Sequence, residues 1–120
     1  MTMQYLEIVS VDVEATVALY ERLLGLTFDA PDPDLGSARV ARQPDGSLVG
    51  VRAPLAAHED PTVRAYLAVE DIERAVRLAQ ELGATLAYGP AQQGVRGTFA
   101  IFFQGGAQHG LWQPPAGVVA

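Results

Sequence analysis

Between residues 12 and 25 apolar side chains recur at helical spacing. Val13, Thr16/Val17, Tyr20 and Leu23/Leu24 fall on one stripe of a 3.6-residue period. Asp12 suits the N-cap, Glu14 the positive end of the helix dipole, and Gly25 the left-handed position just past the last turn. Immediately upstream the period changes to two. Residues 4–11 place Leu6 and Ile8 on one face and Tyr5, Glu7 and Val9 on the other, as a strand does. The helix must pack on one of these faces, and Leu6/Ile8 is the apolar choice. Tyr5 and Glu7 then lie on the far side.

The rest of the chain reads as strands and turns up to residue 53, and then the order repeats. Residues 27–30 predict a short strand, and the Pro- and Asp-rich stretch 31–36 a surface loop. Residues 37–42 and 47–53 predict two strands joined around Pro44, Asp45 and Gly46. After a connector at 54–61 come a strand at 62–69, a helix at 71–82 and a short strand at 85–88. A long polar loop at 89–97 follows, then an apolar strand at 98–104, a turn at Gly105-Gly106, a strand at 107–113 and a tail. The second helix is the first displaced by 59 residues, Asp12, Glu14, Val17 and Leu19 meeting Asp71, Glu73, Val76 and Leu78. Leu24-Gly25 then meets Leu82-Gly83 at a displacement of 58. Two copies, each half the chain, predict paired supersecondary units rather than a solenoid, which needs three or more. The expected architecture is therefore α+β: one domain, 1–120, of two βαβββ repeats, 3–53 and 62–113, around the connector, with the helices outside a mixed sheet.

Composition narrows the functional classes. The 120 residues are 49% hydrophobic and 18% charged, ordinary values for a globular domain. No apolar run is long enough to span a bilayer, and no basic-then-apolar leader opens the chain. Zero cysteines exclude disulfides, thiol catalysis and thiolate metal sites. A net charge of −6 argues against nucleic acid as a partner, because phosphate binding needs a basic patch. The expectation is a cytoplasmic protein with neither nucleic-acid nor membrane partners. Glu70/Arg74, Glu73/Arg77 and Arg77/Glu81 are helical pairs on a solvated face and carry no functional signal.

The βαβββ order, the Asp and Glu that open each helix, the Leu-Gly that closes it, and residues 7–12, 20–25 and 105–113 together resemble the vicinal oxygen chelate superfamily. That group includes glyoxalase I, extradiol dioxygenases, fosfomycin-resistance enzymes and bleomycin-resistance proteins. The resemblance runs from Tyr5 to Gln113. It implies sheets curled into half-barrels around a small-molecule pocket, closed within one chain or between two, and commonly a homodimer. Because this fold hosts many chemistries, it implies much less about activity. It also implies four metal-ligand positions, two per half, commonly His on the first strand and Glu on the last. Here these positions read Tyr5, Gly50, Arg64 (or Tyr66 under a two-residue shift) and Gly110. A neutral tyrosine is a poor ligand, glycine offers no side chain, and an arginine repels a divalent ion. No metal and no other cofactor is expected.

His58 in the connector reads as a solvated loop residue. His109 neighbours Gly110, so alternation turns it to the opposite face, toward the second helix, where packing is the expectation. Alternation from the four positions puts Tyr5, Glu7, Leu48, Arg52, Arg64, Tyr66 and Trp112 on the inward faces as candidate ligand-binding residues. Aromatic rings among a few charges suit a planar or cationic organic molecule; the same rings would also serve as core that plugs the cavity. Phe99, Ile101, Phe102 and Phe103 read as structural. Glu7 is the one candidate general base, but a buried carboxylate must be hydrated, protonated or paired, and Arg64 and Arg52 are its candidate partners. No nucleophile or second acid stands beside it. Three classes follow: a metal-free small-molecule binder of the sequestration or resistance type, a ligand-free assembly module, and a lyase, isomerase or dioxygenase with an atypical site. The first is the principal expectation and the third the least favoured.

Overall fold

A computed structural model describes residues 1–115; the sequence-predicted tail lies for the most part outside them. Among the described residues the elements run β1 (Met3–Val9), α1 (Val13–Leu24), β2 (Arg39–Arg42), β3 (Leu48–Arg52), β4 (Thr62–Ala68), α2 (Ile72–Glu81), β5 (Thr85–Gln92), β6 (Thr98–Gln104) and β7 (Ala107–Gln113). The architecture is α+β with mixed strand pairing. No described helix is long and apolar enough to cross a membrane. The chain packs as two compact units, Tyr5–Val63 and Met1–Gln4 together with the chain from Arg64 onward.

In the unit Tyr5–Val63 the strand order is β2-β3-β1, with β1 parallel to β3 and β2 antiparallel to it. The helix forms where the stripe predicts, but the stripe is buried only through Val13, Val17 and Tyr20, and Leu23 and Leu24 in the last turn are exposed. Asp12 caps it, its Oδ1 accepting from Ala15 N at 3.0 Å, and Gly25 ends it at φ 68°, its N–H donating to Glu21 O. Ile8, Val17, Phe28, Ala41, Val49 and Val51 form the core, with Leu6, Val13 and Tyr20 packed against it. Leu6/Ile8 is thus the helix-facing side of β1. The predicted short strand at 27–30 is only an isolated bridge from Phe28 to Ala41, so this unit has one strand fewer than the other. The segment instead meets the facing chain through two separated bridges, Phe28 to Ala41 and Asp32 to Ala38, with a bend between them and a 3-10 turn at Pro33–Leu35 after them. The β2–β3 turn carries left-handed Gly46, and Asp45 Oδ1 accepts from both the backbone N and the hydroxyl of Ser47. Those two bonds hold the Asp45 carboxyl below its usual range.

In the other unit the order is β4-β7-β6-β5, with β4 parallel to β7 and the remaining pairs antiparallel. Asp71 caps α2 as Asp12 caps α1, accepting from Arg74 N at 3.1 Å, and Gly83 has a positive φ. Ile72, Val76, Ala100 and Leu111 form the core, with Leu67, Val69, Leu86 and Phe102 against it. A further cap comes from β7, where Gln113 Oε1 accepts from Ile72 N at 2.9 Å. One of the orphan N–H groups of the first helical turn is thereby satisfied. The predicted polar loop 89–97 is half strand. β5 continues to Gln92 through irregular pairing with β6 and a cis Gly89-Pro90 bond, and only a 3-10 turn at Gly94–Arg96 remains outside the ladder.

Candidate functional site

Each unit turns one sheet face to its helix and the other away from it, and the chemistry-bearing residues lie on the faces turned away. In the unit Tyr5–Val63 that face carries Tyr5, Glu7 and Val9 from β1 and Leu48, Gly50 and Arg52 from β3. Parallel pairing sets Tyr5 beside Leu48, Glu7 beside Gly50 and Val9 beside Arg52. All but the glycine are large, and all are buried. A Cβ built on Gly50 would overlap the Tyr5 hydroxyl and lie 2.7 Å from two ring carbons, so the Tyr5 ring tip fills the space where residue 50 would carry a side chain.

Glu7 is paired, and the partner found within its own unit is Arg52. Arg52 Nε donates to Glu7 Oε2 at 2.9 Å, the two side chains being 6% and 10% exposed. Arg52 has a second carboxylate that the sequence did not point to. Its Nη1 and Nη2 donate to Glu59 Oε1 and Oε2, each at 2.8 Å, and Nη1 also reaches Ala53 O at 3.1 Å. Glu59 sits in the connector, and its Oε1 also accepts from Leu55 N at 2.7 Å. The Glu59 hydrogen bonds, then the charge of Glu7, raise the Arg52 pKa above its ordinary value against the opposing effect of burial. Arg52 therefore stays cationic although it is buried. No periodicity marks a loop glutamate as the partner of a strand arginine 7 residues earlier, which is why Glu59 escaped sequence reasoning.

In the unit from Arg64 onward, the corresponding face carries Arg64 and Tyr66 from β4, Gln108, Gly110 and Trp112 from β7, and Phe99 from β6. Tyr66 lies directly opposite Gly110 in the parallel ladder, and a Cβ on Gly110 would overlap the base of the Tyr66 ring. Arg64 Nε donates to Gln108 Oε1 at 2.9 Å, and its Nη1 lies 3.3 Å from the Tyr66 hydroxyl. Trp112 stacks on Phe99 at 5.8 Å, Phe99 on Tyr88 at 5.4 Å, and Tyr66 meets Trp112 edge-on at 5.4 Å. The indole N–H donates to Arg96 O at 2.8 Å, so the 3-10 turn closes over Trp112. Phe99, read from sequence as structural, belongs to this aromatic cluster. The antiparallel pairing of Phe99 with Trp112 puts both on one face, information that pairing supplies and single-strand alternation does not.

The ladders settle which residue is equivalent to Tyr5. Glu7 stands opposite Gly50 as Tyr66 stands opposite Gly110, so Arg64 occupies the position of Tyr5, two residues before the pairing partner. A tyrosine covers the glycine in both units but reaches it from different strand positions. Among the described residues no three His, Cys, Asp or Glu side chains gather as a set that could hold a metal ion. Gly50 and Gly110 are both covered by tyrosine rings, so neither position has room for a side chain of its own. His58 is exposed in the connector. His109 is also exposed, yet it packs on the side expected: it stacks at 5.1 Å on Phe102, itself against the α2 core, with one ring nitrogen, Nε2, at 3.1 Å from Gln104 O.

No family model matches the chain, and no curated protein matches its sequence. Solved structures do match its backbone. Methylmalonyl-CoA epimerase from Mycobacterium tuberculosis superposes with a TM-score of 0.71 at 18% identity, over 94% of this chain and 87% of that one. A hypothetical protein from Bacillus halodurans C-125 gives 0.74 at 13% identity, over 99% and 98%. A variant of Streptomyces coelicolor methylmalonyl-CoA epimerase in complex with 2-nitronate-propionyl-CoA gives 0.70 at 15% identity, over 97% and 99%. These epimerases belong to the vicinal oxygen chelate superfamily. The chain has the vicinal oxygen chelate fold.

Proposed function

We propose that this protein binds a small organic molecule without the help of a metal ion, using the sheet faces turned away from its helices. The observation that carries the reading is the covering of Gly50 by Tyr5 and of Gly110 by Tyr66, at the positions where the family places carboxylate ligands. Tyr5, Glu7, Leu48 and Arg52 in one unit and Arg64, Tyr66 and Trp112 in the other are the contact residues. Their mixture of rings and charges suits a planar or cationic ligand. Five solved neighbours hold coenzyme A thioester ligands, which puts acyl-CoA compounds in the first set to be tried. Sequestration or resistance is the role, and a cytoplasmic homodimer the form, in which we place this binding. Epimerisation is less favoured, because moving a proton at carbon needs a free base and an acid, and Glu7 is committed to Arg52.

One observation favours a ligand-free assembly module instead: all seven candidate residues are buried, at 8% exposure or less. Thermal-shift measurement on chelator-treated protein separates the readings, with acyl-CoA thioesters, aromatic amines and a glycopeptide antibiotic as the panel. A ligand at a hundred times its dissociation constant adds about 2.7 kcal/mol, which is on the order of 10 °C in Tm. The expected result is one such shift, unchanged by EDTA. A flat response across the panel supports the assembly module, and a shift abolished by EDTA refutes metal independence.

A further inference from the structure

Arg52 is buried, cationic and bound to two carboxylates, one of which is held by the chain in a different way from the other. Glu7 belongs to a strand and meets Nε with a single bond. Glu59 belongs to the connector, its side chain is 24% exposed, and it takes both terminal nitrogens in the two-pronged geometry that a guanidinium offers any free carboxylate. Beside it lies an open groove of about 510 Å³ lined by Val11, Pro54, Leu55, Glu59, Asp60 and Pro61. We propose that Arg52 is a carboxylate-binding site whose resident occupant is Glu59, and that a carboxylate-bearing ligand entering from this groove displaces Glu59 and frees the connector.

Three physical points support the exchange. Swapping one carboxylate for another leaves the charge around Arg52 unchanged, so no new buried charge is created. Glu7 remains on Nε throughout and keeps the guanidinium oriented. The displaced Glu59 leaves a connector that is mostly exposed, so its carboxylate returns to water rather than to an apolar site. Asp60 on the groove rim repels anions, so the attraction rests on short contact with Arg52 rather than on long-range steering. The proposal deepens the proposed function by naming a chemical group of its ligand, and it rests on that reading.

Malonate is the probe, malonamide its neutral control, and calorimetric titration the measurement, with hydrogen exchange of residues 54–61 alongside. Glu59→Ala and the shape-conserving Glu59→Gln should each bind malonate at least tenfold more tightly than the unmodified protein, and neither should bind malonamide. In the unmodified protein malonate should accelerate exchange in the connector. Adding Arg52→Lys to Glu59→Ala keeps a countercharge for Glu7 but removes the two-pronged donor, and should abolish the gain. Equal malonate affinity with and without Glu59, or a gain that survives Arg52→Lys, overturns the proposal. A thermal-shift ligand that carries no carboxylate and leaves connector exchange unchanged would overturn it while leaving the proposed function standing.

Discussion

Tyr5 and Tyr66 each cover a glycine on the neighbouring parallel strand, yet the two contacts differ in a way that stability measurements can read. At Gly50 the obstructing atoms are the far end of the Tyr5 ring; at Gly110 they are the base of the Tyr66 ring and the Ala65 carbonyl at 2.8 Å. A ring tip can be trimmed or shifted, whereas a ring base and a backbone oxygen cannot. Overpacking a core by one methyl costs about 1–3 kcal/mol. Gly50→Ala should fall in that range by urea unfolding, and Tyr5→Leu in the same chain should recover most of the loss. Gly110→Ala should cost at least as much and should not be rescued by Tyr66→Leu. Equal rescue at both sites would show that the Ala65 carbonyl does not limit the second one.

Among the elements, the two helices share a start and differ in their end. Asp12 and Asp71 cap through the same bond, to the N–H three residues on. Replacing such a cap by alanine costs about 1 kcal/mol. Asp12→Ala and Asp71→Ala should therefore each lower stability by about that amount, with Asp→Ser nearly neutral. Because Gln113 also holds the first turn of α2, Gln113→Ala should add to the loss at Asp71 and leave the α1 unit untouched. Amide exchange of the first helical turns reports each effect separately. If Gln113→Ala changed exchange at the start of α1 instead, the assignment of the cap would be wrong.

For the whole molecule, the apolar side chains left outside the cores bear on assembly. Leu19, Leu23 and Leu24 on α1 and Leu78 and Leu82 at the end of α2 are each at least 50% exposed. Leucines this exposed on a short helix are candidates for burial against a second copy. Light scattering should give twice the 12.7 kDa chain mass at micromolar concentration. Leu23→Glu should shift it toward the single-chain mass without loss of helical circular dichroism. A single-chain mass for the unmodified protein refutes the homodimer.

Periodicity along one chain determined the helices and their caps, the faces of β1 and β4, and through the repeat the class of fold. Asp12, Gly25, Asp71 and the Leu6/Ile8 and Leu67/Val69 pairs could be read because local geometry alone decides them. What tertiary structure decided was pairing. Register made Arg64 the counterpart of Tyr5, put Phe99 beside Trp112, and brought Tyr5 and Tyr66 over two glycines by different routes. It also reduced the short strand at 27–30 to a bridge and carried β5 through residues that read as loop. Glu59 shows the limit most plainly. Its partner is chosen by where an irregular connector folds back onto β3, and no pattern within the connector encodes that distance. A guanidinium buried beside Glu7 still had donors to satisfy, and the chain supplied the acceptor from outside any repeating element.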